Sequence, residues 1–352
     1  MIGRLVHRYR WAVPYVLMAP GLLWLVAFFV VPMVPMILFS ISEGTVNTGI
    51  VQPPDVWAIG NYPEVVVKFQ DNVRNSLVFG ALATTLCFAI GYPLAYAIAF
   101  RGGRYKNLLL FLVIAPFFTS FLIRTISWKV ILGNDGPFLA VVRDALHLVP
   151  ANFSVMGTPL AVVSGLTYQL LPFMVLPLYV SLEKVDIRLI EAARDLYAGP
   201  WRPRGTAIGA ALGGALAIAL MVGLRYADPG DPSGLVAAAG AALVGGLLGG
   251  LVAHFLVTEA FVRVVFPLSL PGVFAASILT FIPAVGDYVN ADLLGVSPNN
   301  QMIGNVIQNR YLFQTDYPVA SALSFILMGA ILLAIALYAK VLGTEELTGG
   351  RA

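Results

Sequence analysis

Eight stretches of this chain are apolar for longer than a soluble domain requires: residues 12–40, 75–100, 108–131, 158–182, 207–224, 235–257, 271–292 and 319–342. A helix rising 1.5 Å per residue needs about 20 such residues to cross about 30 Å of hydrocarbon, so each run is a candidate span. Backbone groups in lipid must pair within their own segment, and runs of this length do so as α-helices. The chain is 59% hydrophobic and 11% charged, which places it with all-α polytopic membrane proteins. Its first run follows "MIGRLVHRYR" like a signal peptide, but it outruns an h-region and lacks a clear A-x-A end, so it reads as a retained span.

Orientation follows from the basic residues. With the N-terminus inside, the inner segments hold Arg4, Arg8, Arg10, Arg101, Arg104, Lys106, Lys184, Arg188, Arg194, Arg202, Arg204, Arg263, Lys340 and Arg351, which is 14 of the 21. Such an excess marks the cytoplasmic face and leaves both termini there. The outer loops, 41–74, 132–157, 225–234 and 293–318, carry the turn chemistry "NDGP", "DPGDPSG" and "SPNNQ". The net charge of +3 is sorted by membrane side, which argues against a nucleic-acid partner.

Several chemistries are excluded. Cys87 is the single cysteine, so no intrachain disulfide or cysteine metal site can form. The three histidines are scattered with no HExxH, and no Gly-Lys pair exists for a P-loop. No cofactor is expected in this chain, no covalent chemistry either, and any ATP must be bound by another one.

The inner segment around "LIEAARDLYAGPWRPRG" (189–205) is dense in charge between apolar runs. Val185, Leu189, Ala192 and Leu196 form one helical stripe, and Lys184, Arg188, Glu191 and Asp195 form its neighbour. The pattern suits a helix lying along the membrane face and meeting a soluble partner, or equally an ordinary solvated loop.

"EAARDL", followed downstream by "FVRVVFPLSLPGV", resembles the EAA loop of permease subunits of type I ABC importers. "GYPLAYAIAF" (91–100), "APFFTSFLIRTISWKVILGNDGP" (115–137) and "IGNVIQNRYL" (303–312) resemble the spermidine/putrescine branch of that family. The resemblance implies six family spans and a cytoplasmic helix pair that docks on an ABC ATPase dimer. It further implies a second permease subunit, an extracytoplasmic binding protein, and alternating access for a polyamine. Carried over, Glu191, Ala192 and Ala193 match the motif's triplet, with Asp195 and Gly199 after it and Phe261, Pro267, Leu270, Pro271 and Gly272 in its closing part. Tyr197 stands where the family has Gly, and Gly199 follows two positions later.

The motif's halves are separated by residues 202–258. This insert reads as a transmembrane hairpin, dividing the permease domain into 1–201 and 259–352 and bringing the spans to eight. Gly209/Gly213, Gly245/Gly249 and Gly246/Gly250 are GxxxG spacings that let helices approach closely, or a by-product of Gly/Ala-rich composition. An even number of added spans keeps both motif halves on the ATPase side. The hairpin is expected at the periphery, against lipid or an accessory protein.

For the substrate path, Asp287 is an acid near the outer end of its run, with Tyr288 and Asn290 beside it and Pro283 preceding. It lines a cavity or caps a helix. Trp128, Tyr168, Phe117 and Tyr288 offer ring faces to an aliphatic cation. Arg124 and Lys129 stand roughly 25 Å and 33 Å up a straight helix from Asn107, so they anchor at the outer interface or join the path. Rival readings are a permease for sulfate, molybdate, iron or an opine, a secondary transporter, and a membrane-embedded enzyme.

Overall fold

The computed structural model describes residues 13–145, 154–196, 261–295 and 301–342. The chain divides into two compact units, one formed by residues 1–70 and 306–329 and the other by 71–305 and 330–352.

In the first unit, α1 (Val13–Leu25), a π-helical turn (Val26–Val30) and α2 (Val31–Ser40) form one apolar rod. Its large side chains face outward, Leu17 at 77% and Trp24 at 67% exposure, an apolar surface suited to lipid or to another membrane subunit. The rod ends where hydroxyls take over its last carbonyls: Ser40 Oγ donates to Ile37 O at 2.7 Å and Ser42 Oγ to Leu38 O at 2.6 Å. Asn61, opening α3 (Asn61–Lys68), donates from Nδ2 to the carbonyls of Ser40 and Ser42 at 3.2 and 2.9 Å. The same unit holds the Arg310–Asp316 ion pair, 3.1 Å long, with the Arg310 guanidinium over the Phe69 ring.

The second unit begins with α4 (Gln70–Arg101) and continues through α5 (Lys106–Ile114), α6 (Phe121–Leu132), α7 (Pro159–Glu183), α8 (Ile187–Leu196), α9 (Phe266–Gly286) and α10 (Val289–Leu294). Two helices follow, α11 (Ile303–Gln308) and α12 (Tyr317–Leu342). The centre is α7: 67% of its apolar window is buried, against 33% for α4 and for the helix ending in α9. It packs along α9 through a core that includes Leu166, Met174, Leu178, Leu182, Val273 and Ala276. Thr158 caps α7, its hydroxyl accepting from Ala161 N, and Pro159 fills the first helical position, where a missing N–H costs nothing.

Five helices among the described residues are long and apolar enough to cross a membrane, or six if a bent pair counts as one span. The inserted hairpin (202–258) lies outside the described residues. The expected straight span 108–131 is corrected: residues 103–118 and 121–139 are helices bent by 94°. Pro116 cannot donate back along the helix, so the chain tightens to 3₁₀ over Ala115–Phe118 and leaves extended at Thr119 and Ser120. Thr119 Oγ1 donates to Pro116 O at 2.7 Å, closing the break. The span placed at 271–292 starts earlier, as α9, and stops at Gly286 with Asp287 extended.

Candidate functional site

Two places carry the residues singled out in the sequence. The first is the split motif. Asp186 Oδ1 accepts from Arg188 N at 2.9 Å and starts α8. The apolar stripe does not turn inward as its periodicity suggests. Ile190 and Ala193 are buried at 5% and 4% exposure, whereas Leu189 and Leu196 stand at 51% and 80%. The helix is rotated so that its seam is Ile190/Ala193, because that face meets the π-helical segment Phe261–Val265 packed against it. The two motif halves are thus adjacent although 64 positions separate Leu196 from Phe261.

The motif then sorts into two roles. Glu191, Ala192 and Asp195 are exposed on α8 beside Leu189 and Leu196, forming a mixed surface. Phe261 instead inserts among rings, with centroids 5.6 Å from Tyr92 and 5.7 Å from Tyr96. Pro267 sits in the first turn of α9 and Pro271 one turn further on, both exposed, so the closing part of the motif is helix rather than loop. Gly272 is buried at the α7–α9 crossing: a methyl there would overlap Ser181 and come within 3.2 Å of Pro177 O. Gly199 lies outside the described residues.

The second place is a polar junction of α6, α7 and α10, built where the broken span returns. Trp128 of α6 stacks on Tyr168 of α7 with centroids 5.1 Å apart and planes 2° from parallel, and Trp128 Nε1 donates to Ser164 Oγ at 3.2 Å. Asp287, in the extended link after α9, accepts from Asn290 N at 2.7 Å on Oδ1 and from Asn290 Nδ2 at 3.0 Å on Oδ2. Asp287 therefore caps α10 and orients the buried Asn290. Asn305 Nδ2 donates to Tyr288 O at 2.9 Å, which fixes the link from its other side, while the Tyr288 ring is exposed.

Of the path residues named from the sequence, Trp128, Tyr168, Asp287 and Asn290 meet at this junction, and Tyr288 borders it. Gln169, its partner Thr125 and Gly165 were missed. Gln169 of α7 donates from Nε2 to Asn290 Oδ1 at 3.0 Å and to Thr125 Oγ1 at 2.5 Å. Gly165, one turn earlier, lets these groups close in, since a Cβ there would lie 3.2 Å from Asn290 Oδ1 and 3.3 Å from Trp128 Cδ1. The signal for Gln169 was present: it is the only amide side chain in the apolar run 159–183. Arg124 was expected either to anchor at the outer interface or to join the path, and its burial goes against the first. It is 9% exposed, with its guanidinium 5.2 Å from the Phe117 ring and 6.0 Å from the Phe121 ring, because the bend at residue 119 folds it into the unit. Lys129 is exposed.

A cavity of about 510 Å³ between α4, α9 and α12 shares no residue with this junction. Phe88, Leu270, Phe281 and Tyr338 line it, and its walls are too apolar to hold a cation.

No family model matches the chain. It is 34% identical over 266 residues to the spermidine/putrescine transport system permease protein PotB of Haemophilus influenzae, covering 76% of this chain and 72% of that protein. It is 32% identical over 282 residues to PotB of Escherichia coli K12, covering 79% and 81%. Similarity extends at 28% identity over 283 residues to the inner membrane ABC transporter permease protein YdcU of the same organism.

Proposed function

Since the chain belongs to the family of spermidine/putrescine ABC-importer permeases, we propose that it forms part of the membrane path by which polyamine enters the cell through alternating access. It is a transport subunit and not an enzyme, and ATP hydrolysis falls to a separate component. The partners are an ATPase dimer, a second and different permease subunit, and a binding protein outside the inner membrane. Both termini are cytoplasmic in this reading.

The observation that carries the proposal is the reunion of the split motif. Glu191, Ala192 and Asp195 present a charged and apolar face on α8, while Phe261 and Gly272 tie the same region to α4 and α7. A push on that face is passed directly to the central helix crossing, which is what coupling an ATPase to the spans requires. The polar junction supplies the chemistry for the cargo: a carboxylate, amides and stacked rings suit a linear ammonium compound that must be held weakly and released.

The test is uptake of labelled spermidine and putrescine by the complete complex in cells lacking other polyamine importers. Import above background that is lost with Glu191→Lys, together with loss of the copurifying ATPase but not of the permease, is the expected result. Normal uptake and copurification with Glu191→Lys would refute the coupling assignment. Failure to import either amine, with import of a metal oxyanion instead, would refute the cargo.

A further inference from the structure

We propose that the side-chain oxygen of Gln169 is the acceptor that receives an ammonium group of the transported amine, and that Asp287 sets its orientation through Asn290. The inference rests on the polyamine reading and adds to it a contact residue and a positioning residue.

The direction of every hydrogen bond in the junction is forced from one end. A carboxylate only accepts, so Asn290 must turn its Nδ2 to Asp287 Oδ2, 3.0 Å away. The Asn290 backbone N–H, 2.7 Å from Oδ1, holds the pair in place. Asn290 Oδ1 then faces the opposite way and requires a donor, which Gln169 Nε2 supplies at 3.0 Å. The second Nε2 proton goes to Thr125 Oγ1 at 2.5 Å, and Thr125 passes its own proton to Phe121 O at 3.1 Å. Reversing Gln169 would set its oxygen against Asn290 Oδ1, and reversing Asn290 as well would set an oxygen against Asp287.

All the donors are thereby committed in one direction, and Gln169 Oε1 ends the chain with none. It is buried and unpartnered, on a side chain only 3% exposed. Buried polar atoms without a partner are uncommon and point to a group the resting structure does not supply. Here that group must be a donor. The open group of the relay itself is the acceptor Oε1, which a primary or secondary ammonium can meet; the other buried unpartnered atom, Arg124 Nε, is a donor that lies beside Thr125 in sequence and outside the relay. Trp128, stacked on Tyr168, reaches the same face of α7: its Cδ1 lies 3.3 Å from where a Cβ at Gly165 would stand, one turn before Gln169. A neutral acceptor also suits a passing cargo, because a carboxylate at that point would hold it. Since Oε1 is closed off in this state, the amine reaches it only when the helices reopen during the transport cycle.

The experiment uses the complete complex, with its ATPase, partner permease and binding protein, reconstituted in liposomes. It reads spermidine imported per ATP hydrolysed. Gln169→Met keeps the length and removes the acceptor, and it should lower that ratio about tenfold, the order expected for losing a hydrogen bond to a charged group. Asp287→Asn leaves Gln169 in place but lets the relay run either way, so it should lower the ratio by less. Adding Asp287→Asn to Gln169→Met should then change nothing further, the sign that Asp287 acts through Gln169. Gln169→Glu should lower both the half-saturating amine concentration and the maximal rate, and it remains readable if Gln169→Met does not assemble. Import of amine at the native ratio by both Gln169 variants would overturn the inference, Oε1 then being met by a buried water. No amine import by the unaltered complex would instead overturn the polyamine reading beneath it.

Discussion

Replacing Gly272 by alanine tests whether the closing part of the split motif is a packing device. Alanine is the better helix former by about 0.5–1 kcal/mol, so with room to spare Gly272→Ala would stabilise α9. There is no room. The added methyl would overlap Ser181 Cβ and lie 2.7 Å from Ser181 Oγ and 3.2 Å from Pro177 O. A Cβ cannot swing aside as the end of a long side chain can, so α7 and α9 must separate, at a cost of about 1–3 kcal/mol for an overpacked core. The net expectation is a loss of up to about 2 kcal/mol, read as a fall of a few degrees in the melting temperature of the solubilised complex. Ser181→Gly removes both offending atoms. It costs about 0.5 kcal/mol in helix propensity, close to the gain from alanine at 272, so the double variant should return near the native temperature. If Gly272→Ala melts at or above the native temperature, or the double variant fails to recover, the close crossing is not what position 272 requires.

Other outcomes follow from the same contacts. Tyr92→Phe removes a phenol 2.7 Å from Ser269 Oγ, but Ser269 keeps its bond to Phe266 O, so the loss should be about 1 kcal/mol by thermal melting, with uptake retained. Glu183→Gln breaks the solvent-exposed 2.7 Å pair with Lys106 and should leave the melting temperature nearly unchanged in the same assay. Joining Trp201 to Glu259 should preserve assembly and much of the uptake, and complete loss of uptake at normal expression would make the insert a working part. Single cysteines at 230, 204 and 263 should react from outside only at 230, in a background where buried Cys87 stays silent.

Much of this was legible because lipid simplifies the problem. A segment that must satisfy its own backbone and face hydrocarbon declares itself by length and apolarity, so the runs at 12–40, 75–100, 158–182 and 319–342 reappear within a few residues as helices. The segment around Glu191 showed an amphipathic stripe by its own periodicity, but that pattern left a solvated loop open, and it was the resemblance of "EAARDL" and its closing part that marked it as a docking helix. The sequence by itself also brought Trp128, Tyr168, Asp287 and Asn290 under one heading, as polar or aromatic groups placed where apolar ones would be expected.

What pairs with what belonged to tertiary structure. Periodicity gave α8 an apolar stripe but not its rotation, because the buried face is chosen by the segment Phe261–Val265 that arrives from beyond the insert. Residues 108–131 read as one straight span, but Pro116 interrupts the helix and Thr119 and Ser120 leave it extended, so the chain turns by 94° and Arg124 sits in a buried aromatic setting. Asp287 read as an acid that lines a cavity or caps a helix. Only the fold shows it turned back on Asn290, which in turn meets an amide 118 positions earlier than Asp287 in the chain. Hydrogen-bond direction is a property of a connected set of atoms, and no spacing along a chain encodes which of them meet.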